Sequence, residues 1–196
     1  MADFARLLPS HALTGGYADA PREAARAFRA ALDAMARPGT IGIVTGAVPP
    51  APLSVAAGVL ILTLVDATTP LHLAGAADCP AVRDWVQFHT AAPLVAAEAA
   101  MFAVGDWAAL HPLDRFAIGT PDYPDRSATL IVEMPVLEAS GPRLTGPGIR
   151  DAALLSLPDT AAFVANRAQF PLGFDTFLTS RDRLAALPRS TRVEAA

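Results

Sequence analysis

Arginine carries all the basic side-chain charge of this 196-residue chain: the 15 Lys and Arg positions are all Arg. A chain without lysine cannot form an internal aldimine, which excludes Schiff-base pyridoxal-phosphate chemistry. It also lacks the lysine that a Walker A loop or an ordinary kinase strand places on phosphates. What arginine offers instead is a planar fork that grips a phosphate, phosphonate or carboxylate through parallel hydrogen bonds. A GC-rich genome also yields arginine in place of lysine, alongside abundant Ala, Gly and Pro, so the count alone assigns no role. Four arginines stand out as candidates for substrate contact. They are Arg37 in Arg37-Pro38-Gly39, Arg115 in Asp114-Arg115-Phe116, Arg126 after Asp125, and Arg189 in Pro188-Arg189-Ser190-Thr191-Arg192. Arg115 and Arg126 each follow an aspartate directly, so a local ion pair is the competing use of both.

The other reactive side chains form no recognisable set. His11, His72, His89 and His111 show neither His-x-x-x-His nor Glu-x-x-His spacing, so no metal site is expected. His111 is the histidine best placed for a cleft, and with Asp114 and Asp122 it would supply acid–base chemistry. Ser54, Ser127, Ser140 and Ser156 lack a nucleophile-elbow frame. Cys79, between Asp78 and Pro80, falls at an expected helix start, a position that activates thiols in general, but no partner can be assigned to it. Asp122, Asp125 and Arg126 lie in the turn-rich segment 119–127. Carboxylates there can hold Mg²⁺ or can bond neighbouring N–H groups as solvated turns. Gly146-Pro147-Gly148 offers an anion cradle in principle, but Pro147 removes a donor, which favours a tight turn between two strands. No catalytic residue is assigned, and no cofactor is expected.

Hydrophobic periodicity supplies the elements that must position these groups. Pro21 suits a first helical turn. From Arg22 to Arg37 the residues Ala25, Phe28, Leu32 and Met35 recur at steps of 3, 4 and 3, one apolar face of a helix that Pro38-Gly39 stops. Thr40–Thr45 reads as a strand. Leu53–Val65 is apolar on every side and fits a buried helix, with a β-branched end that leaves a strand open. Leu71–Ala74 is a short buried strand and Pro80–His89 a helix. Ala100–Val104 is a strand, followed by a short helix to Leu110 capped by Asp106. Ala128–Val132 is the clearest strand. Residues 142–150 are turn-rich. Thr160–Ala168 is a helix with Asp159 as its cap, Phe174–Thr179 is a strand, and Leu187–Val193 a last strand. This alternation predicts an α/β fold: a single domain, 21–196, with one mixed sheet flanked by helices, after an irregular arm at 1–20.

Composition narrows the class. One cysteine allows no internal disulfide or cysteine zinc cage. A net charge of −4 argues against nucleic acid as a partner. The chain is 53% hydrophobic and 17% charged, with a mean hydropathy of +0.36. Such apolarity raises the question of a membrane. The longest uncharged stretch, 38–65, is broken by Pro49, Pro50 and Pro52, leaving far fewer than the roughly 20 residues a spanning helix needs. The N-terminus has no apolar core of a signal peptide. The expectation is a cytoplasmic chain without membrane association, whose apolar excess is buried against other subunits.

Several segments in order are similar to those of a known family. Phe28-Arg29-Ala30-Ala31-Leu32-Asp33-Ala34-Met35-Ala36-Arg37-Pro38-Gly39 resembles the opening helix of the PhnH family, a subunit of the bacterial carbon–phosphorus lyase system for phosphonate use. Gly119-Thr120-Pro121 through Ser127-Ala128-Thr129-Leu130 and Leu144-Thr145-Gly146-Pro147-Gly148-Ile149 agree as well. So do Phe170-Pro171-Leu172-Gly173-Phe174-Asp175 and Ala186-Leu187-Pro188-Arg189-Ser190-Thr191, with Ser190 where Thr is expected. The resemblance implies a reduced fold similar to that of pyridoxal-phosphate-dependent transferases, without the cofactor site. It also implies homodimers that join three other core subunits. Together with an ATPase-like protein, that complex transfers ribose triphosphate from ATP to an alkylphosphonate and releases adenine. A radical S-adenosylmethionine subunit then cleaves the carbon–phosphorus bond. On this reading the chain is an accessory subunit with no activity alone. The rival expectations are a stand-alone enzyme using His111, Asp114 and Asp122, and a non-catalytic scaffold that binds phosphonate or nucleotide.

Overall fold

A computed structural model describes residues 13–194; His11 and most of the expected arm lie outside the described residues. The helices are α1 (Ala20–Ala36), α2 (Val55–Leu64), α3 (Pro80–Thr90), α4 (Trp107–Leu110) and α5 (Thr160–Ala168). The strands are β1 (Gly42–Ile43), β2 (Leu71–Leu73), β3 (Phe102–Asp106), β4 (Thr129–Glu133), β5 (Arg143–Thr145), β6 (Ala153–Leu154), β7 (Asp175–Ser180), β8 (Arg183–Leu187) and β9 (Arg192–Glu194). Six strands form one sheet in the order β1-β8-β7-β4-β3-β2. β2, β3, β4 and β7 run parallel, β8 pairs antiparallel with β7, and β1 pairs antiparallel with β8 at that edge. The α/β class and the mixed sheet are as expected.

Parallel strands must be covered on both faces, so their sequences run apolar without alternation. β4 illustrates this: Ile131 enters the core beneath α1, α2 and α3, while Leu130 and Val132 enter a second core on the opposite face. α2 is apolar all round because it is enclosed, with Ala56 through Ile61 buried. Its start is set by Ser54, whose hydroxyl accepts from the Ala57 N–H at 3.1 Å. Asp106 and Asp159 cap α4 and α5 in the same way, as predicted from sequence.

The second face corrects the expectation of one sheet. Residues 142–150, read as a turn-rich segment, contain β5, which joins β6 and β9 in a separate three-stranded antiparallel sheet. The expected last strand, Leu187–Val193, is two strands in two sheets. Pro188 has no N–H for a ladder, and the Thr191 N–H turns back to the Pro188 carbonyl at 2.9 Å, so the chain leaves β8 and enters β9. β8 carries no local strand signal: Arg183-Leu184-Ala185-Ala186-Leu187 lies between β1 and β7 and shows no alternation. β1 is shorter than Thr40–Thr45 because only Gly42 and Ile43 lie opposite β8.

α1 forms where predicted, but turned so that an adjoining face points inward, with Met35 half-buried at the boundary. The small residues Ala27, Ala31 and Ala34 are buried, while Phe28 and Leu32 are 53% and 57% exposed. A stripe of alanines lets the helix backbone lie close to α2 and β8, and the bulky stripe is left beside that contact. The Gly146-Pro147-Gly148 turn connects β5 toward β6 and packs on the end of α1. A Cβ on Gly148, which has φ +81°, would lie 1.9 Å from the Ala36 carbonyl oxygen. The glycine there is a requirement of close approach, which accounts for the turn without an anion.

Glu133, at the end of β4, ties α2 to the sheet. Its Oε1 accepts from the Ser54 N–H at 2.7 Å and its Oε2 from the Thr179 hydroxyl at 3.0 Å. The same hydroxyl lies 3.1 Å from the Val132 carbonyl. One Thr179 proton thus faces two acceptors, and a protonated Glu133 satisfies both. Burial raises the Glu133 pKa, with the Ser54 and Thr179 hydrogen bonds opposing it.

Two outcomes follow from these contacts. Gly148→Ala should destabilise the chain by about 2 kcal/mol or more through left-handed strain and overlap, read as a lower Tm. Because Glu133 binds its proton more tightly when folded, its contribution to stability falls as pH rises from about 4.3 through its raised folded value. Glu133→Gln should therefore cost most stability in acid and less near neutrality, as chemical denaturation across pH would show.

Candidate functional site

The outward stripe of α1 borders a groove of about 390 Å³ whose walls include Phe28, Leu32, Met35 and Phe177, with Asp175 and Pro188 alongside. Residues from both ends of the sequence meet there. β4 and β7 enter the sheet side by side, Thr129 opposite Asp175. Pro188 follows β8, the antiparallel neighbour of β7.

Arg189 fixes the polar side of this groove. Its Nε donates to Asp175 Oδ1 at 3.1 Å and its Nη2 to Oδ2 at 2.6 Å, a bidentate pair. The Arg189 backbone N–H also donates to Oδ1 at 2.8 Å, and Nη1 donates to the Pro124 carbonyl at 2.6 Å. The two side chains are only 14% and 24% exposed. Every guanidinium nitrogen is thus engaged inside the chain, and the 119–127 loop is tied to the segment between β8 and β9.

The remaining candidate arginines are dispersed. Arg126, on that tied loop, lies with its guanidinium carbon 4.0 Å from the Tyr123 ring centroid. Arg37, at the end of α1, pairs with Asp33 at 3.0 Å in an exposed i,i+4 bridge. Arg115 is elsewhere, donating from Nη2 to the Ala109 carbonyl at 2.8 Å with its Nε buried and unpartnered. Arg189 is therefore joined to the loop of Arg126, while Arg115 has a separate environment.

His111, Asp114 and Asp122 are exposed, and no described cavity draws more than one of them to its wall. His111 packs edge-on against Trp107, and the His89 Nε2 lies 3.2 Å from the Thr14 carbonyl. Among the described residues no group of three His, Cys, Asp or Glu side chains is placed to hold a metal. Cys79 is half-buried, with Sγ 3.9 Å from the Ala51 carbonyl. Ser54 is a helix cap, and the Ser156 hydroxyl accepts from the Glu138 N–H at 2.9 Å. The groove joins apolar walls to an internally compensated ion pair. That combination suits holding apolar side chains of another surface.

The sequence contained a signal for this groove: two stripes on one helix, Ala27-Ala31-Ala34 and Phe28-Leu32-Met35, of which only one can face the core. The Asp175–Arg189 pair carried no local signal, since fourteen residues and a strand reversal separate them. Arg189→Gln should cost about 3 kcal/mol or more in denaturant unfolding because it leaves Asp175 half-buried without its counter-charge.

The chain matches the family model "Bacterial phosphonate metabolism protein (PhnH)" over residues 15–194. It is 42% identical over 196 residues to "Alpha-D-ribose 1-methylphosphonate 5-triphosphate synthase subunit PhnH" of Rhizobium meliloti (strain 1021), covering 94% of this chain and 97% of that one. It is 31% identical over 202 residues to "Putative C-P lyase subunit protein HtxG" of Stutzerimonas stutzeri, covering 91% and 94%. With the match running from the segment before α1 through β9, the chain belongs to the PhnH family of bacterial phosphonate metabolism proteins.

Proposed function

We propose that this chain is an accessory subunit of a carbon–phosphorus lyase complex in phosphonate catabolism. It acts with partner subunits in transferring ribose triphosphate from ATP to an alkylphosphonate, and it has no turnover of its own. The observation that carries the reading is the outward Phe28-Leu32-Met35 stripe beside an apolar groove, on a chain that is 53% hydrophobic. Such a stripe is costly in water and useful only when covered. The expected substrate-contacting arginines narrow on this reading to the exposed Arg37 and Arg126, since Arg115 and Arg189 donate to groups of the chain itself.

In the isolated chain the occupant of the stripe is a second copy. Ala25, Phe28, Leu32 and Met35 have the same 3-4-3 spacing in both directions. Two α1 helices crossing antiparallel near Ala30 therefore set Phe28 against Leu32 of the second copy and Ala25 against its Met35. Each of these pairs occurs twice, as a twofold interface requires. The absence of lysine supports a reduced relative of the lysine-dependent transferase fold, without its cofactor site. No described helix is long and apolar enough to cross a membrane, and a cytoplasmic site of action is part of the same proposal.

Co-expression with the other subunits tests the reading. The chain should be recovered in a stoichiometric complex by native mass spectrometry, and Phe28→Asp with Leu32→Asp should reduce that recovery at least about tenfold with the fold intact. Equal recovery of the variant, or turnover of ATP and phosphonate by the chain alone, would contradict it.

A further inference from the structure

A second cavity, of about 280 Å³, lies at the opposite edge of the six-stranded sheet from β1. His72 of β2, Asp78 and Arg83 line it, together with Leu73, Leu94 and Val95. His72 is half-buried in the edge strand, beside the ring of Phe116. Its Nδ1 lies 3.0 Å from the Val95 carbonyl. A carbonyl can only accept, so Nδ1 carries the proton and the ring orientation is fixed. Nε2 then has no partner among the described residues.

Asp78 and Arg83 are paired through Arg83 Nε to Asp78 Oδ1 and Nη2 to Oδ2, the latter at 2.8 Å. Nη1 has no partner among the described residues. The Arg83 hydrogen bond, with the positive charges of Arg83 and His72, holds the Asp78 carboxyl below its usual range. Asp78 therefore stays ionised and fixes the guanidinium at the cavity, while Arg83 Nη1 remains available. An isolated exposed ion pair is worth little to stability. Its position beside a fixed histidine is what gives it a use. The chain leaving β2 at its carboxyl end supplies Asp78 and Arg83.

We propose that this cavity binds a small oxyanion, a phosphoryl or carboxylate group, between Arg83 Nη1 and a protonated His72 Nε2. Nη1 donates to one oxygen and Nε2–H to another, and Leu73 and Leu94 face the apolar remainder of the ligand. With the imidazole protonated, Arg83, Asp78 and His72 together carry one net positive charge, matched to an anion. The Phe116 ring beside His72 also lies near Arg115, whose guanidinium carbon is 5.2 Å from its centroid, and Asp106 Oδ2 approaches Gly75 in the segment between β2 and Asp78. The site does not depend on the α1 contact, since it is built from β2, the start of α3 and residues 94–96.

Imidazole resonances of the full chain, followed during titration with inorganic phosphate and separately with acetate, test the site. His72 should show a saturable shift while His89 and His111 do not. Arg83→Gln, a change at a half-exposed surface position, should weaken that binding about tenfold without altering Tm. Saturation by phosphate alone assigns a phosphoryl ligand, and by acetate alone a carboxylate. No saturable shift at His72 with either anion, or equal affinity in Arg83→Gln, would overturn the proposal. Since the chain is titrated without partners, a failure here leaves the subunit reading separately testable.

Discussion

A guanidinium taken out of water must find its counter-charge and its remaining acceptors within the protein, and Arg189 finds both at one place. Asp175 receives its fork and its backbone N–H, and the Pro124 carbonyl takes the last nitrogen. Three stretches distant in sequence are thereby fixed: the start of β7, the link from β8 to β9, and the loop before β4. The link matters most, because it is where the chain passes from the six-stranded sheet to the three-stranded one. Removing either partner leaves a half-buried charge, so the pair is held by the penalty of separating it as much as by its own attraction. The groove beside α1 inherits its shape from the same contact, since Asp175 and Pro188 form part of its wall.

α1 shows how packing overrides amphipathicity. A stripe of Phe, Leu and Met reads as the core face of a helix, and in most helices it would be. Here the alanine stripe allows a closer approach to α2, which is itself enclosed, and to β8. The bulky stripe is displaced to the surface, next to a groove of its own kind. An apolar face left outward is the physical content behind the apolar composition of the chain, and it connects composition to assembly.

Much of the fold was legible in local sequence. Asp106, Asp159 and Pro38-Gly39 mark helix ends through chemistry confined to a few residues, and β4 and α2 declare themselves by unbroken apolar runs. What was not legible depends on distant partners. β8 is defined by the strands on either side of it, β5 and β9 by each other, and Asp175–Arg189 by the folded sheet. The role of Gly148 is set by the Ala36 carbonyl, which local spacing does not reveal. The family resemblance read from five ordered segments agrees with the match over residues 15–194. Among the four arginines singled out, sequence could not distinguish the one whose donors are all engaged within the chain from those on the surface.

The claim on which the account rests is that the outward stripe of α1 is a contact between chains. Sedimentation equilibrium of the purified chain tests it most directly, read beside a Phe28→Ser, Leu32→Ser variant of matched circular dichroism. The account predicts twice the 20.3 kDa chain mass for the unaltered protein and the single chain mass for the variant. A single chain mass for the unaltered protein, or an undiminished dimer in the variant, would contradict it.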